Sequence, residues 1–207
     1  MFALIDNQQI TKFYSGNRGV TLGDIQYPKS MFTLWSEAER NTIGIFEVTV
    51  NTTNKKDEQW YINTNVSYGV ESNKAVGSYG TATPKLLEDR NETNEDGSPM
   101  LDDKGNQVVT KGLKSQKKDI IKQQASGLLT PTDWYIIKAT DVESYSVPSA
   151  VTTFRSDVRT KSNTMETAID NASDVDALAT LYEYVNTGTE ENPVMERPLG
   201  EFPTLEV

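Results

Sequence analysis

The chain contains neither cysteine nor histidine. Their absence removes disulfide frameworks, zinc sites of thiolates and imidazoles, the Ser-His-Asp triad, the Cys-His dyad and imidazole acid-base chemistry. No stretch approaches the roughly 18 consecutive apolar residues of a membrane span. The start, MFALIDNQQI, lacks the basic-then-apolar grammar of a secretory signal, so a soluble chain is expected. Basic charge is scarce as well, with 20 Lys and Arg against 30 Asp and Glu and a net charge of −10. Such a surface repels a phosphate backbone, and no basic stripe interleaved with aromatics offsets it. Nucleic acid is therefore not an expected partner.

The patterns G-x-x-x-x-G-K-[ST], G-x-G-x-x-G and G-x-S-x-G are missing too, which leaves phosphate cradles and nucleophile elbows without support. The many carboxylates could pair for glycoside hydrolysis, but no spacing selects two of them. One acidic stretch, residues 92–103, has part of a calcium-loop spacing. Glu92, Asn94 and Asp96 fall at ligand positions one, three and five, Gly97 at six and Asp103 at twelve. The leading Asp and closing Glu of such loops are absent, and Pro99 falls at position eight, so a solvated hairpin is the better reading. From the residues we expect no enzyme, no metal and no cofactor.

What is present reads as an α+β protein, a small, mainly antiparallel β-rich domain followed by a helical module. Residues 1–83 alternate strands and turns. FALIDN and ITKFYS make two strands across the Asp6-Asn7 region, with Ile10 and Phe13 as core candidates. TLGDIQYPKSMF reads as a loop around a short strand. WSEAERNTIGI reads as one short helix, with Ser36 and Glu39 as a capping box and Gly44 as its stop. In QWYINTNVSYGV, residues Trp60, Ile62, Val66 and Tyr68 share one parity, the mark of a half-buried strand, and ESNK is a turn into AVGSYGTAT.

Residues 84–112 are acidic and turn-rich, a linker decorated by a hairpin, with turns at Asp96-Gly97 and Lys104-Gly105. Helical periodicity begins at Leu113 and defines a module over 113–186. Leu113, Ile120, Ile121 and Leu128 form a thin stripe. Thr130 suits an N-cap, Pro131 a first helical position and Asp133 the far side of a capping box, which would start a helix carrying Trp134 and Ile137 on one face. Val151, Phe154, Val158, Met165, Ile169 and Ala172 then come at three- and four-residue steps, interrupted only at TKSNT. Ser173 and Asp176 read as another capping box, before a face of Val175, Leu178, Leu181 or Tyr182, and Val185. Residues 187–207 form a Gly- and Pro-punctuated extended tail.

One constellation could recognise something. Arg155 and Arg159 lie one helical turn apart beside the Phe154/Val158 face, with Trp134 heading the preceding helix. Either the arginines pair with Asp157, Asp133 or Asp141 at the helix surface, or they join Trp134 as an aromatic anchor with forked donors.

LLTPTDWYIIKATDV, VPSAVTTFRSDVRTKSN and the terminal EFPTLEV together resemble the C-terminal region of bacteriophage tail-fibre assembly proteins. That family has a Thr-Asp-Trp helix start, matched by Thr132, Asp133 and Trp134. An aromatic-Arg helix with a second Arg four residues on comes next, matched by Phe154, Arg155 and Arg159, and an aromatic-Pro segment closes the chain, matched by Phe202 and Pro203. Phe154 stands where the family has Tyr, Phe202 where it has Trp, and ASDVDALATLYEYVNTGTEENPVMER is longer than the compact pattern. The N-terminal half looks like β-rich parts of phage tail-associated proteins.

The resemblance implies a chaperone-like protein that binds a phage tail-fibre or other tail protein, in the host cytoplasm during assembly or on the virion tail. A permanent fibre, baseplate or adhesin subunit is the alternative. The partner-binding residues would be Trp134, Phe154, Arg155, Val158, Arg159, Phe202 and Pro203, on an apolar ridge that the chain itself leaves partly uncovered.

Overall fold

A computed structural model describes residues 1–205, and the chain divides into two compact units, Met1–Thr83 and Pro84 onward. The architecture is α+β, with strands first and helices second.

In the first unit β1 (Phe2–Asp6) and β2 (Gln9–Tyr14) form a hairpin. Asn7 and Gln8 between them both take positive φ, 48° and 63°, the backbone hand that matches strand twist in two-residue loops. A second hairpin joins β3 (Val20–Leu22) to β4 (Ile25–Tyr27), and a short helix α1 (Met31–Leu34) comes after it. This is more regular structure than the expected loop.

Helix α2 (Glu37–Thr42) starts as its sequence directs. Ser36 accepts from the Glu39 amide, the Glu39 carboxylate accepts from the Ser36 amide, and Gly44 ends the turn at φ +79°. Then come β5 (Ile45–Asn51), the two-residue β6 (Tyr61–Ile62), β7 (Ser67–Glu71), β8 (Lys74–Ser78) and, at the end of the unit, β9 (Thr83–Pro84). β7 and β8 turn through Ser72 and Asn73, again both at positive φ.

The main sheet runs β2-β1-β5-β8-β7 and is antiparallel except where β5 meets β8. Its edge strands approach each other: Phe13 and Tyr68 stack edge-on at 5.0 Å, and Gln8 Nε2 donates to Asn73 Oδ1 at 2.7 Å. The core beneath is Val20, Met31, Phe32 and Ile45.

Two expectations fail in this unit. Phe13 is not core: it pairs across the ladder with the fully buried Ala3 and keeps 43% of its surface, closing the seam with Tyr68 instead. QWYINTNVSYGV is not one strand either. Neighbouring Trp60 and Tyr61 are both buried, which strict alternation forbids. The chain there is irregular, held where Asn63 exchanges hydrogen bonds with the Lys56 backbone.

The second unit opens with a hairpin arm. β10 (Arg90–Asn91) pairs with β11 (Val109–Thr110), bridges at Thr93–Pro99 and Leu101–Gln107 extend it, and Gly97 and Gly105 turn its tips at positive φ. The arm is tied to the first long helix of the chain. That helix, α3 (Leu113–Leu129), has no capping side chain of its own at Gly112, and its leading amides find partners in the arm. Gly112 N–H donates to Asp89 Oδ1 at 2.8 Å, and those of Leu113 and Lys114 donate to the carbonyls of Leu86 and Leu87. Only glycine fits at 112, because a Cβ would come within 2.4 Å of the Glu88 backbone.

A 3-10 turn (Thr130–Thr132) leads into α4 (Asp133–Asp141), and α5 (Ser149–Asp170) runs back antiparallel to α3, ion-paired to it through Lys118–Asp170 and Lys122–Glu166. The α5 stripe is as spaced: Val151, Phe154, Val158, Met165 and Ile169 are buried, and Ser162 fills the polar interruption, its hydroxyl donating to Glu166. On α3 the face runs through Leu113, Ile121, Ala125 and Leu128. Ile120, about 100° away from Ile121 around the axis, is 45% exposed.

The expected caps shift. Thr130 stays helical and its hydroxyl donates back to Ser126, while Asp133 turns to Arg155 rather than closing a capping box. Helix α6 (Val175–Thr180) is capped by Asp174, which accepts from Ala177 N–H, rather than by Ser173. Val185 lies beyond it, on an exposed hairpin of β12 (Val185–Asn186) and β13 (Met195–Glu196). The tail then turns inward. Leu199 is buried, and Phe202 and Leu205 pack on Ala125, Phe154 and Val158. Of the expected extended tail, Glu206 and Val207 lie outside the described residues.

Candidate functional site

The structure sorts the seven expected contact residues into three places. Phe154 and Val158 are 6% and 0% exposed in the α3/α5 interior, and Phe202 and Pro203 are half-buried, Phe202 packing directly on that pair. The ridge expected to await a partner is thus covered by its own chain. The sequence stripe was real, but its cover came from residues more than forty positions away, with no local signal to announce it.

Arg155 is also turned inward. Its Nη1 donates to the Leu129 carbonyl at 2.9 Å and to the Thr132 hydroxyl, and pairs with Asp133 Oδ1 at 2.8 Å. Thr132 itself is buried and donates to Leu129 O at 2.7 Å. Arg155 therefore ties α5 to the end of α3 and the start of α4. Of the two sequence readings, pairing with Asp133 describes this arginine.

Trp134 and Arg159 remain outside. Arg159 is exposed, donates to the Arg155 carbonyl at 3.1 Å and has no carboxylate partner among the described residues. Trp134 is 50% exposed, stacks on Tyr135 with centroids 3.8 Å apart, and has the Lys138 ammonium 5.7 Å from its ring. That ammonium also sits 4.3 Å from the Tyr145 ring, a cation-π contact that holds the C-terminal half of α4 near the following loop.

The whole of α4 shares this exposure. None of its nine residues is buried, although it carries Trp134, Tyr135, Ile136 and Ile137 in succession. Helices of globular units normally hide an apolar stripe, and here Ile136 and Ile137 keep 42% and 61% of their surface. Between α4 and α5 runs a groove of about 430 Å³, lined by Ile136, Thr152, Arg155, Ser156, Arg159, Thr160 and Asn163. The hydroxyls and the amide of that wall have no place in the sequence reading, because they lie off the apolar stripe of α5. Their i, i+4 recurrence at 152, 156 and 160 was the available signal.

Electrostatics single out the same region. Residues 130–164 hold four acids and four bases, so the chain's excess negative charge lies elsewhere. The stretch 88–103 holds seven acids and one arginine. Two of its carboxylates serve its own turns: Asp96 accepts from Ser98 N–H, and Asp102 from the amides of Lys104 and Asn106. Those hydrogen bonds hold both carboxyls below the usual range, for Asp96 those from Ser98 first and for Asp102 the Asn106 amide first. Among the described residues no group of three acidic side chains is gathered to hold a metal, and no helix is long and apolar enough to cross a membrane.

Comparison with protein-family models, with curated proteins and with solved structures finds no match to this chain.

Proposed function

We propose that this chain is a protein-docking component of a bacteriophage tail, of the tail-fibre assembly type, and that α4 is the element that meets the fibre or another tail protein. The observation that carries the docking role is a helix with four consecutive large apolar or aromatic residues and not one of them buried. Such a face costs hydration free energy while it is bare and regains it when another chain covers it. Its composition suits an interface centre: an indole anchor, two isoleucines beside it, and a guanidinium on the neighbouring helix. The assignment to phage tails rests on the Thr132-Asp133-Trp134, Phe154-Arg155-Arg159 and Phe202-Pro203 pattern. In this reading the pattern's buried members build the platform, and only Trp134 and Arg159 face the partner.

The test is capture of the fibre protein from cells infected with the phage that encodes the chain. Replacing Trp134 and Ile137 together by alanine should reduce capture at least tenfold, while far-UV circular dichroism and the urea midpoint stay within error of the parent. Undiminished capture by that folded variant sinks the proposal. Mass spectrometry of purified particles beside the soluble lysate separates the two modes of action. A transient assembly factor is found in the lysate alone, and a permanent tail subunit in the particles.

A further inference from the structure

We infer that the groove between α4 and α5 holds an extended, acidic stretch of the partner chain, with a side-chain carboxylate on Arg159. This rests on the proposed docking role and specifies the chemistry of what is docked.

Charge points to an acidic occupant. Among the described residues the groove wall carries two guanidinium groups and no carboxylate, in a chain with half again as many acids as bases. Arg155 is committed to Leu129, Thr132 and Asp133 and only shapes the wall. Arg159 is anchored through Nη1 to the Arg155 carbonyl and is bound to nothing else among the described residues. A guanidinium held at one nitrogen keeps its remaining donors in a fixed fork, the geometry that suits a carboxylate.

Shape points to an extended one. From Thr152 to Asn163 the wall runs along α5 for eleven residues, about 16 Å at 1.5 Å per residue. An extended peptide covers that distance in about five residues at ~3.3 Å each. A long groove selects a passing segment over a chain terminus, which would need only its near end. The side chains of Ser156, Thr160 and Asn163 make no hydrogen bond within the chain among the described residues, so they are free to meet peptide N–H and C=O groups. Ile136 offers an apolar contact on the opposite wall. The volume, about 430 Å³, lies within the roughly 300–1,000 Å³ of sites that enclose ligands.

The experiment uses the full chain, labelled with nitrogen-15, and a blocked hexapeptide of alternating leucine and glutamate. Two control peptides carry glutamine or lysine in place of glutamate, and inorganic phosphate is titrated separately. The glutamate peptide should shift the amide signals of Ile136 and of residues 152–163, with affinity at least tenfold above either control. Arg159→Gln should remove that preference, and Arg159→Lys should restore part of it. Equal binding of the glutamine or lysine peptide overturns the inference, as does silence of those signals. Phosphate moving them as strongly as the peptide does also overturns it, since that marks a bare anion site. If Trp134→Ala with Ile137→Ala abolishes fibre capture while the groove ignores the glutamate peptide, docking through α4 stands and the acidic segment falls. If the peptide binds through Arg159 while the α4 variant still captures the fibre, the groove chemistry stands and the client assigned to it is wrong.

Discussion

Arg155 and Arg159 sit one turn apart in the same motif, but the first is buried and tied to its surroundings and the second is exposed, so their alanine variants should part sharply. Cutting Arg155 back to alanine deletes the two buried methylenes beyond Cβ, costing roughly 1.6 kcal/mol at ~0.8 kcal/mol each. It also removes charged hydrogen bonds to Leu129 O and the Thr132 hydroxyl. A hydrogen bond to a charged group contributes about 1.5–3 kcal/mol. Its loss is cushioned here, because Thr132 still donates to Leu129 and both keep a partner. The ion pair with Asp133 adds little, since that carboxylate is half-exposed and water can take over. The expected loss is therefore about 3 kcal/mol for Arg155→Ala, and about 1.5 kcal/mol for Arg155→Met, which keeps the stem. Arg159→Ala, at an exposed site without an ion pair among the described residues, should stay within about 0.5 kcal/mol.

Urea titration monitored at 222 nm reads mainly the second unit, where the long helices are. With a slope near ~2 kcal/mol per molar, a loss of about 3 kcal/mol lowers the midpoint by about 1.5 M. Equal midpoints for the Arg155→Ala and Arg159→Ala proteins would refute the strut.

The tail and the arm give two further expected outcomes. Phe202→Ala should cost about 2 kcal/mol, below the ~3–5 kcal/mol of a fully buried phenylalanine, and should raise binding of a hydrophobic dye as Phe154 and Val158 lose cover; unchanged dye binding would show that the tail seals nothing. Asp102 has its folded carboxyl pKa lowered by the Asn106 amide first, so the order it gives the hairpin tip is present above the ordinary carboxylate pKa and lost as pH falls through the lowered value. Amide exchange at Lys104 and Asn106, corrected for intrinsic rates, should accelerate only on that acid side, and Asp102→Asn should flatten the dependence.

Local grammar was readable wherever the structure is local. The capping box at Ser36 and Glu39, the turns at Asn7 and at Ser72-Asn73, and the α5 stripe through Ser162 all depend on residues within a few positions of one another. The misreadings lie where a distant partner decides. Thr130 reads as a cap, but the helical backbone carries on through it from α3 into the 3-10 turn. Asp133 looked like a capping-box acid, but Arg155, more than twenty residues on, takes its carboxylate. Trp60 and Tyr61 both bury, and the parity that suggests one strand is broken between the short β6 and β7. The seven candidate contact residues share one motif, yet burial divides them, and only packing between α3, α5 and the tail could reveal that division.

The segment from Leu199 to Leu205 comes later in the chain than every helix it covers. A ribosome therefore delivers the α3/α5 pair with its oily side open to water and to other nascent chains, and the seal arrives only once the later stretch 199–205 has emerged. Translation that stalls beyond α5 but before that stretch would leave a folded, sticky intermediate, so the pace of synthesis over those codons bears directly on the yield of well-behaved protein.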